Sequence, residues 1–201
     1  MIEQAAEKIR YLQHEIEHKA IYRCRPGQFI PAKQANSSYS WQFYLRRVLF
    51  DPKFVMTAAE LLVDMLPEKD VQFCACEDAG VPLGLAMSSI IERPLLTVKK
   101  TRKSYGLLNF TEGPYIAKPI VLVDDLAGSQ TTLRTAASML TAFNLPLSKF
   151  YVTLLNKTRD SHDAYLKNKG LISLFTCEDF ALTWDEYRSR YQQDPAFGAY
   201  F

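Results

Sequence analysis

Short apolar runs recur along this chain with helical stretches between them, and that alternation limits the fold more than any other feature. "VQFCACED" (71–78), "PLLTVKK" (94–100), "PIVLVDD" (119–125), "KFYVTLLN" (149–156) and "GLISLFTC" (170–177) have the length and composition of strands. "GVPLGLAMSSIIE" (80–92), "TTLRTAASMLTAF" (131–143) and "HDAYLKN" (162–168) read as helices between them. Runs that are apolar throughout belong to strands buried on both faces, and helical crossovers make such strands parallel. The expected fold class is α/β, with a mostly parallel central sheet flanked by helices. An open sheet of this kind places its ligand at the carboxyl ends of its strands.

The flanking segments read differently. In "MIEQAAEKIRYLQHEIEH", Ile2, Ala5, Ile9, Leu12, Ile16 and Ala20 form one stripe of an amphipathic helix. "HEIEH" matches the H-E-x-x-H pattern of zinc proteases. His14 and His18 fall on the opposite face with Glu7 and Tyr11, however, so they should point at water. "SSYSWQFYLRRVLFDPKF" (37–54) mixes aromatics with two arginines; core packing is the default reading, with a hood over the ligand site or a nucleic-acid contact as alternatives. "TRKSYGLLNFTEGPYIAK" (101–118) shows no clear period and exceeds the usual loop length, as a lid would. The aromatic segment 178–201 reads as a helical tail packed on the body. We therefore expect one domain over 1–201: helix and hood at 1–60, an α/β core at 70–177, and the tail.

Composition excludes some classes. A formal charge of +2 gives no global field for nucleic acid or membrane, and no apolar run is long enough to span a bilayer. The charged N-terminus does not read as a signal peptide, and Cys24, Cys74, Cys76 and Cys177 show no disulfide-framework spacing. A cytoplasmic protein with reduced thiols is expected.

The chemistry concentrates in "VLVDDLAGSQTTLR" (121–134). A helix N-terminus offers free amide donors and positive partial charge to a phosphate, and Ser129, Thr131 and Thr132 add hydroxyls. Asp124 and Asp125 would repel that phosphate. They make sense if they hold sugar hydroxyls or a magnesium ion on the same ligand. The alternative is a solvated strand end followed by a helix cap.

This stretch resembles the phosphoribosyl pyrophosphate (PRPP) signature of type I phosphoribosyltransferases: an apolar strand, two acidic residues and a Thr/Gly-rich loop. "TVKKTRKSYG" (97–106), "CACEDAGVPLGLAMS" (74–88) and "YRCRPGQFIPA" (22–32) are similar, in order, to the flexible loop, pyrophosphate loop and N-terminal segment of the orotate branch. The resemblance implies that Asp124 and Asp125 bind the ribose hydroxyls, with Mg²⁺ held indirectly, and that Ser129, Gln130, Thr131 and Thr132 cradle the 5′-phosphate. It implies that Lys99, Lys100 and a catalytic Lys103 meet the pyrophosphate, Lys103 reaching a neighbouring subunit of a homodimer. Arg25, Gly80, Tyr105 and Asn156 complete the substrate-binding set, with Tyr105 where the family commonly has histidine. The reaction would displace pyrophosphate from ribose C1 by a nitrogen of a nucleobase.

Several positions depart from that pattern. Gln130 stands where the family loop has glycine, and Asp78-Ala79 stands where the pyrophosphate loop often has an aromatic and a lysine. Gln130 and Ala79 thus bear on competence. Asn156 ends the strand where orotate enzymes have an arginine that grips the base, and Ala32 and Lys33 replace the aromatic pair over it. These changes lead to the expectation of a phosphoribosyltransferase whose base is not orotate. The alternative is a regulator of the same fold that binds PRPP, a nucleotide or a protein or nucleic-acid partner without turnover. A phosphatase using Asp124 as nucleophile ranks last.

Overall fold

The computed structural model describes residues 2–25, 28–31, 37–99, 110–158, 170–182 and 188–190. The chain opens with α1 (Ile2–Lys19), β1 (Ile21–Arg23), β2 (Ile30–Pro31), β3 (Ser37–Tyr39), β4 (Trp41–Phe43), α2 (Arg46–Leu49) and α3 (Pro52–Asp64). There follow β5 (Gln72–Cys76), α4 (Val81–Ile90), β6 (Leu96–Val98), β7 (Thr111–Glu112), β8 (Ile120–Ala127), α5 (Thr131–Ala142), β9 (Phe150–Asn156) and β10 (Gly170–Thr176). A 3-10 turn at Glu178–Phe180 and β11 (Arg188–Arg190) complete the described elements.

The central sheet runs β10-β9-β8-β5-β6-β7, parallel except for β7, which pairs antiparallel with β6. This is the mixed α/β architecture expected, and each apolar run became a strand within a few residues of its expected bounds. A local signal accounts for the start of α3. Asp51 accepts hydrogen bonds from the Lys53 and Phe54 amides at 2.9 and 3.2 Å, with Pro52 in the first turn of α3.

Strand alternation divides the core. Val121, Val123, Val152 and Leu154 face the side covered by α1, α3, α4 and the hood; Ile120, Leu122 and Tyr151 face α5. Cys74 and Cys76 share the α5 side, as their spacing requires. Leu12 and Ile16 on α1 are buried, as is Ala20 in the turn directly after it. The hood ribbon pairs β1 with β4 antiparallel and buries Trp41 and Phe43, whose rings meet edge to face at 5.6 Å.

Two expectations change. The stretch 101–118 contains β7, which closes the sheet edge against β6 through a register too short to leave a period in the sequence. The tail does not read as helical where it is described: after the 3-10 turn, β11 pairs with β3 and makes a three-stranded antiparallel sheet with β2. Backbone pairing at the open edge of β3 overrides a weak local helical pattern. The helix expected at 162–168 lies outside the described residues.

Candidate active site at the strand ends

β8 carries both aspartates to the carboxyl edge of the sheet, and the alternation along it sends them to opposite sides. Asp124 continues the α5 side and is buried at 5 % exposure; its Oδ1 accepts the Asp125 amide at 3.0 Å. Asp125 continues the hood side and is half-buried. Burial pushes its carboxyl above the ordinary range, while hydrogen bonds and the positive charge of Arg46 on α2 work the other way. Of the pair, Asp125 is the more open to a ligand. Asp124, buried and bonded to its neighbour's backbone, is poorly placed as a phosphatase nucleophile.

Gly128, Ser129 and Gln130 then turn the chain into α5. Ser129 and Thr131 are exposed, with hydroxyl oxygens 3.1 Å apart at the helix start. Thr132 is half-buried. Hydroxyls beside the first amides of a twelve-residue helix are donors of the kind an anion takes. Gln130 sits at φ 60°, a left-handed conformation that glycine adopts freely. The family glycine is absent, and Gln130 takes up a conformation that glycine would hold without penalty. The Gln130 side chain is turned inward, with residue exposure of 4 %.

Gly80, at the start of α4, lies against β8. A Cβ there would stand 2.5 Å from the Val123 carbonyl oxygen and 3.0 Å from Asp124 Cα, so only glycine lets the β5 loop approach the aspartates this closely. Glu77 accepts from the Thr97 hydroxyl at 2.9 Å, and Asp78 is exposed. Lys99, at the end of β6, pairs with Glu112 of β7. Phe50, Glu77, Asp78, Val81, Pro82, Lys99 and Glu112 line an open cleft of about 480 Å³. Lys99 also borders Thr132 of α5, so the ends of β5, β6 and α5 converge.

Sequence reasoning missed Lys157. The residue expected to meet the base is Asn156, which is half-buried and accepts the Thr158 amide on its side-chain oxygen at 2.9 Å. Lys157, one position on, is buried at 5 % exposure. Its Nζ lies 2.9 Å from Gln42 Oε1 and 4.7 Å from the centre of the Trp41 ring. The signal was present: a cation directly following a buried strand, opposite an aromatic hood. Arg46 was legible only as one of two arginines among aromatics.

Arg25 is exposed on the segment after β1. Lys100, Lys103 and Tyr105, like Ala32 and Lys33, lie outside the described residues. His14 and His18 are exposed, their rings stacked with centroids 4.1 Å apart. Stacked rings aim their nitrogens alongside one another rather than at a common point. For magnesium, Asp125 offers the more open carboxylate at β8, a hard oxygen ligand of the kind that would share such an ion with substrate phosphates and water, while Asp124 faces the other side of the sheet. No helix among the described residues is long and apolar enough to cross a membrane.

A six-stranded, mostly parallel sheet with a carboxylate pair leading into a hydroxyl-lined helix start is the architecture of type I phosphoribosyltransferases. The phosphoribosyltransferase of Corynebacterium diphtheriae superposes with a TM-score of 0.70 at 15% identity, over 88% of this chain and 99% of that one. The orotate phosphoribosyltransferase of Methanosarcina mazei is 30% identical over 143 residues, 69% of this chain and 74% of that protein. That of Methanocaldococcus jannaschii is 25% identical over 160 residues, 79% and 90% respectively. No family model matches the chain. The chain belongs to the type I phosphoribosyltransferase family, in its orotate phosphoribosyltransferase branch, and is a phosphoribosyltransferase.

Proposed function

We propose that the protein transfers the 5-phosphoribosyl group from PRPP to an acidic nitrogen heterocycle of the orotate kind. The observation that carries this reading is Lys157, a cation buried between the β9 end and the hood. The expectation that orotate is excluded rested on the want of positive charge at Asn156, on Ala32 and Lys33 in place of the aromatic pair, and on Gln130 in the phosphate loop; the first of these is the ground that Lys157 bears on. Lys157, one position beyond Asn156, brings a positive charge to the end of β9, and that supports an anionic base there. The curated relatives are named orotate phosphoribosyltransferases, which supports the same base and lends nothing to a binder without turnover.

In this reading, Ser129, Thr131, Thr132 and the α5 amides hold the 5′-phosphate, and Asp125 with Asp124 takes the ribose hydroxyls. Lys99, with Lys100 and Lys103, faces the pyrophosphate; Asn156 and Lys157 face the base. A base nitrogen bonds to ribose C1 as the bond from C1 to the pyrophosphate oxygen breaks, and inorganic pyrophosphate leaves. Positioning and charge stabilisation of the leaving group supply the catalysis, so no strong nucleophile is required. Mg²⁺ bound with the substrate near Asp124 and Asp125 would offset pyrophosphate charge. The protein acts in the cytoplasm as a homodimer, with Lys103 serving the neighbouring site; a monomer in light scattering at assay concentration would refute the shared site.

The test is steady-state pyrophosphate release with orotate, uracil, guanine, hypoxanthine, adenine and nicotinate in parallel. The highest kcat/KM should fall to orotate. A neutral purine as best substrate, with orotate inert, would overturn the assignment of the base.

A further inference from the structure

Gln130 combines three features that a loop residue rarely has together. Its backbone is left-handed, at φ 60° and ψ 5°. Its side chain is buried, although its neighbours Ser129 and Thr131 are exposed. Its amide nitrogen lies 3.5 Å from Thr158 Oγ1, on the loop after β9. A glycine would adopt the same backbone without penalty and would offer Thr158 nothing. The chain has therefore accepted an unfavourable conformation at this position and kept a polar side chain pointing inward.

What surrounds Thr158 shows what the side chain reaches. Thr158 Oγ1 lies 3.4 Å from the Ala127 carbonyl oxygen and 3.5 Å from that of Gly128, both in the approach to the phosphate loop. A hydroxyl has one proton to give and lone pairs to receive with, so Thr158 can donate to one of those carbonyls while accepting from Gln130. The Lys157 amide donates to the Ala127 carbonyl at 2.6 Å. Two loops that would hold opposite ends of the substrate are thus stitched together, and Gln130 is the side chain that reaches across. Its own carbonyl accepts the Arg134 amide at 2.9 Å, so its conformation also sets the direction of the first turn of α5.

We infer that Gln130 is a positioning residue that acts through Thr158, locking the phosphate loop after β8 to the base-side loop after β9. The inference rests on the reading of the 129–132 loop as the phosphate cradle. Gln130 touches no substrate in this account; it fixes the amides and hydroxyls that do. The side chain, and not only the backbone turn, carries the effect. Gln130→Asn should then behave like Gln130→Gly. Asparagine tolerates the left-handed region but is one methylene too short to reach Thr158.

The experiment is a double-mutant cycle on Gln130→Gly and Thr158→Val, with Gln130→Asn alongside. It is read by calorimetric titration with ribose 5-phosphate, which carries the phosphate and cannot react, and by the thermal midpoint without ligand. Gln130→Gly, Gln130→Asn and Thr158→Val should each weaken ribose 5-phosphate binding about three- to tenfold, and the double variant should bind no worse than the weaker single. In turnover, the KM for PRPP should rise while kcat at saturation holds. Wild-type affinity in both Gln130 variants, or effects that simply multiply in the double variant, would overturn the inference. If wild-type protein ignores ribose 5-phosphate, the cradle reading fails and the functional inference with it. The thermal cycle then shows separately whether the Gln130–Thr158 tie exists, since it needs no ligand.

Discussion

Lys157 Nζ lies 2.9 Å from Gln42 Oε1, a contact that joins the carboxyl end of β9 to the hood strand β4 across 115 residues of sequence. The ammonium group is also held over the Trp41 ring at 4.7 Å. The Gln42 amide oxygen and the Trp41 ring face are among the contacts that hold the ammonium group at this interface. Burial of Cys177 pushes its thiol up to about 11, with Lys157 acting in the opposite direction, so the charge is felt across this interface.

Replacing Lys157 by methionine keeps most of the volume and removes the charge. We expect kcat/KM for orotate to fall by on the order of 10²-fold, while a neutral base such as uracil loses little. Lys157→Arg should retain much of the orotate activity. Parallel kinetics with the two bases separate loss of charge recognition from general damage, which would lower both equally.

The pair between Lys99 and Glu112 sets a second expectation. Glu112 lies in the same cleft as Glu77 and Asp78, so the region assigned to pyrophosphate is crowded with carboxylates. Glu112→Gln releases Lys99 from its partner and removes one repulsive charge. Inhibition by pyrophosphate should become about two- to tenfold tighter, and the gain should shrink with added salt. Weaker inhibition would mean that Glu112 orients Lys99 instead of competing for it.

Asp125 gives a prediction with a defined sign. Burial raises its carboxyl on folding, so the folded state takes up its proton more readily than the unfolded chain. Its ionisation therefore costs stability at neutral pH, and the cost disappears as pH falls and the folded carboxyl protonates. Asp125→Asn should raise the thermal midpoint of the ligand-free protein by roughly 1–4 °C at pH 7, with the difference vanishing on acidification. The same substitution should weaken PRPP binding. A lower midpoint at pH 7 would contradict the assignment of Asp125 as a group strained by its site.

Much of this site was legible in the sequence because the signals there are local. Apolar runs marked the strands, and the two aspartates marked the last part of β8, which runs on to Ala127 before the hydroxyl-rich start of α5. Gln130 was recognisable as a departure from glycine, but its inward side chain depends on Thr158, 28 residues away. Lys157 was missed because burial of a lysine is decided by its partners, here Gln42 and Trp41 on a strand far earlier in the chain. Strands β7 and β11 are too short to show a period and exist through pairing with β6 and β3. Adjacent carboxylates suggested one joint role; strand alternation placed them on opposite sides of the sheet and left them unequally exposed.

The carboxyl end of β8 and the start of α5 are the part of the molecule proposed to bind PRPP. Calorimetric titration of PRPP with Mg²⁺ into the wild-type protein and into the Asp124→Asn, Asp125→Asn double variant tests that proposal most directly. The wild type should bind PRPP with one site per chain, and the double variant at least about tenfold more weakly, since both carboxylate contacts to the sugar are lost. Equal affinity in the two proteins, or no binding by the wild type, would contradict the account.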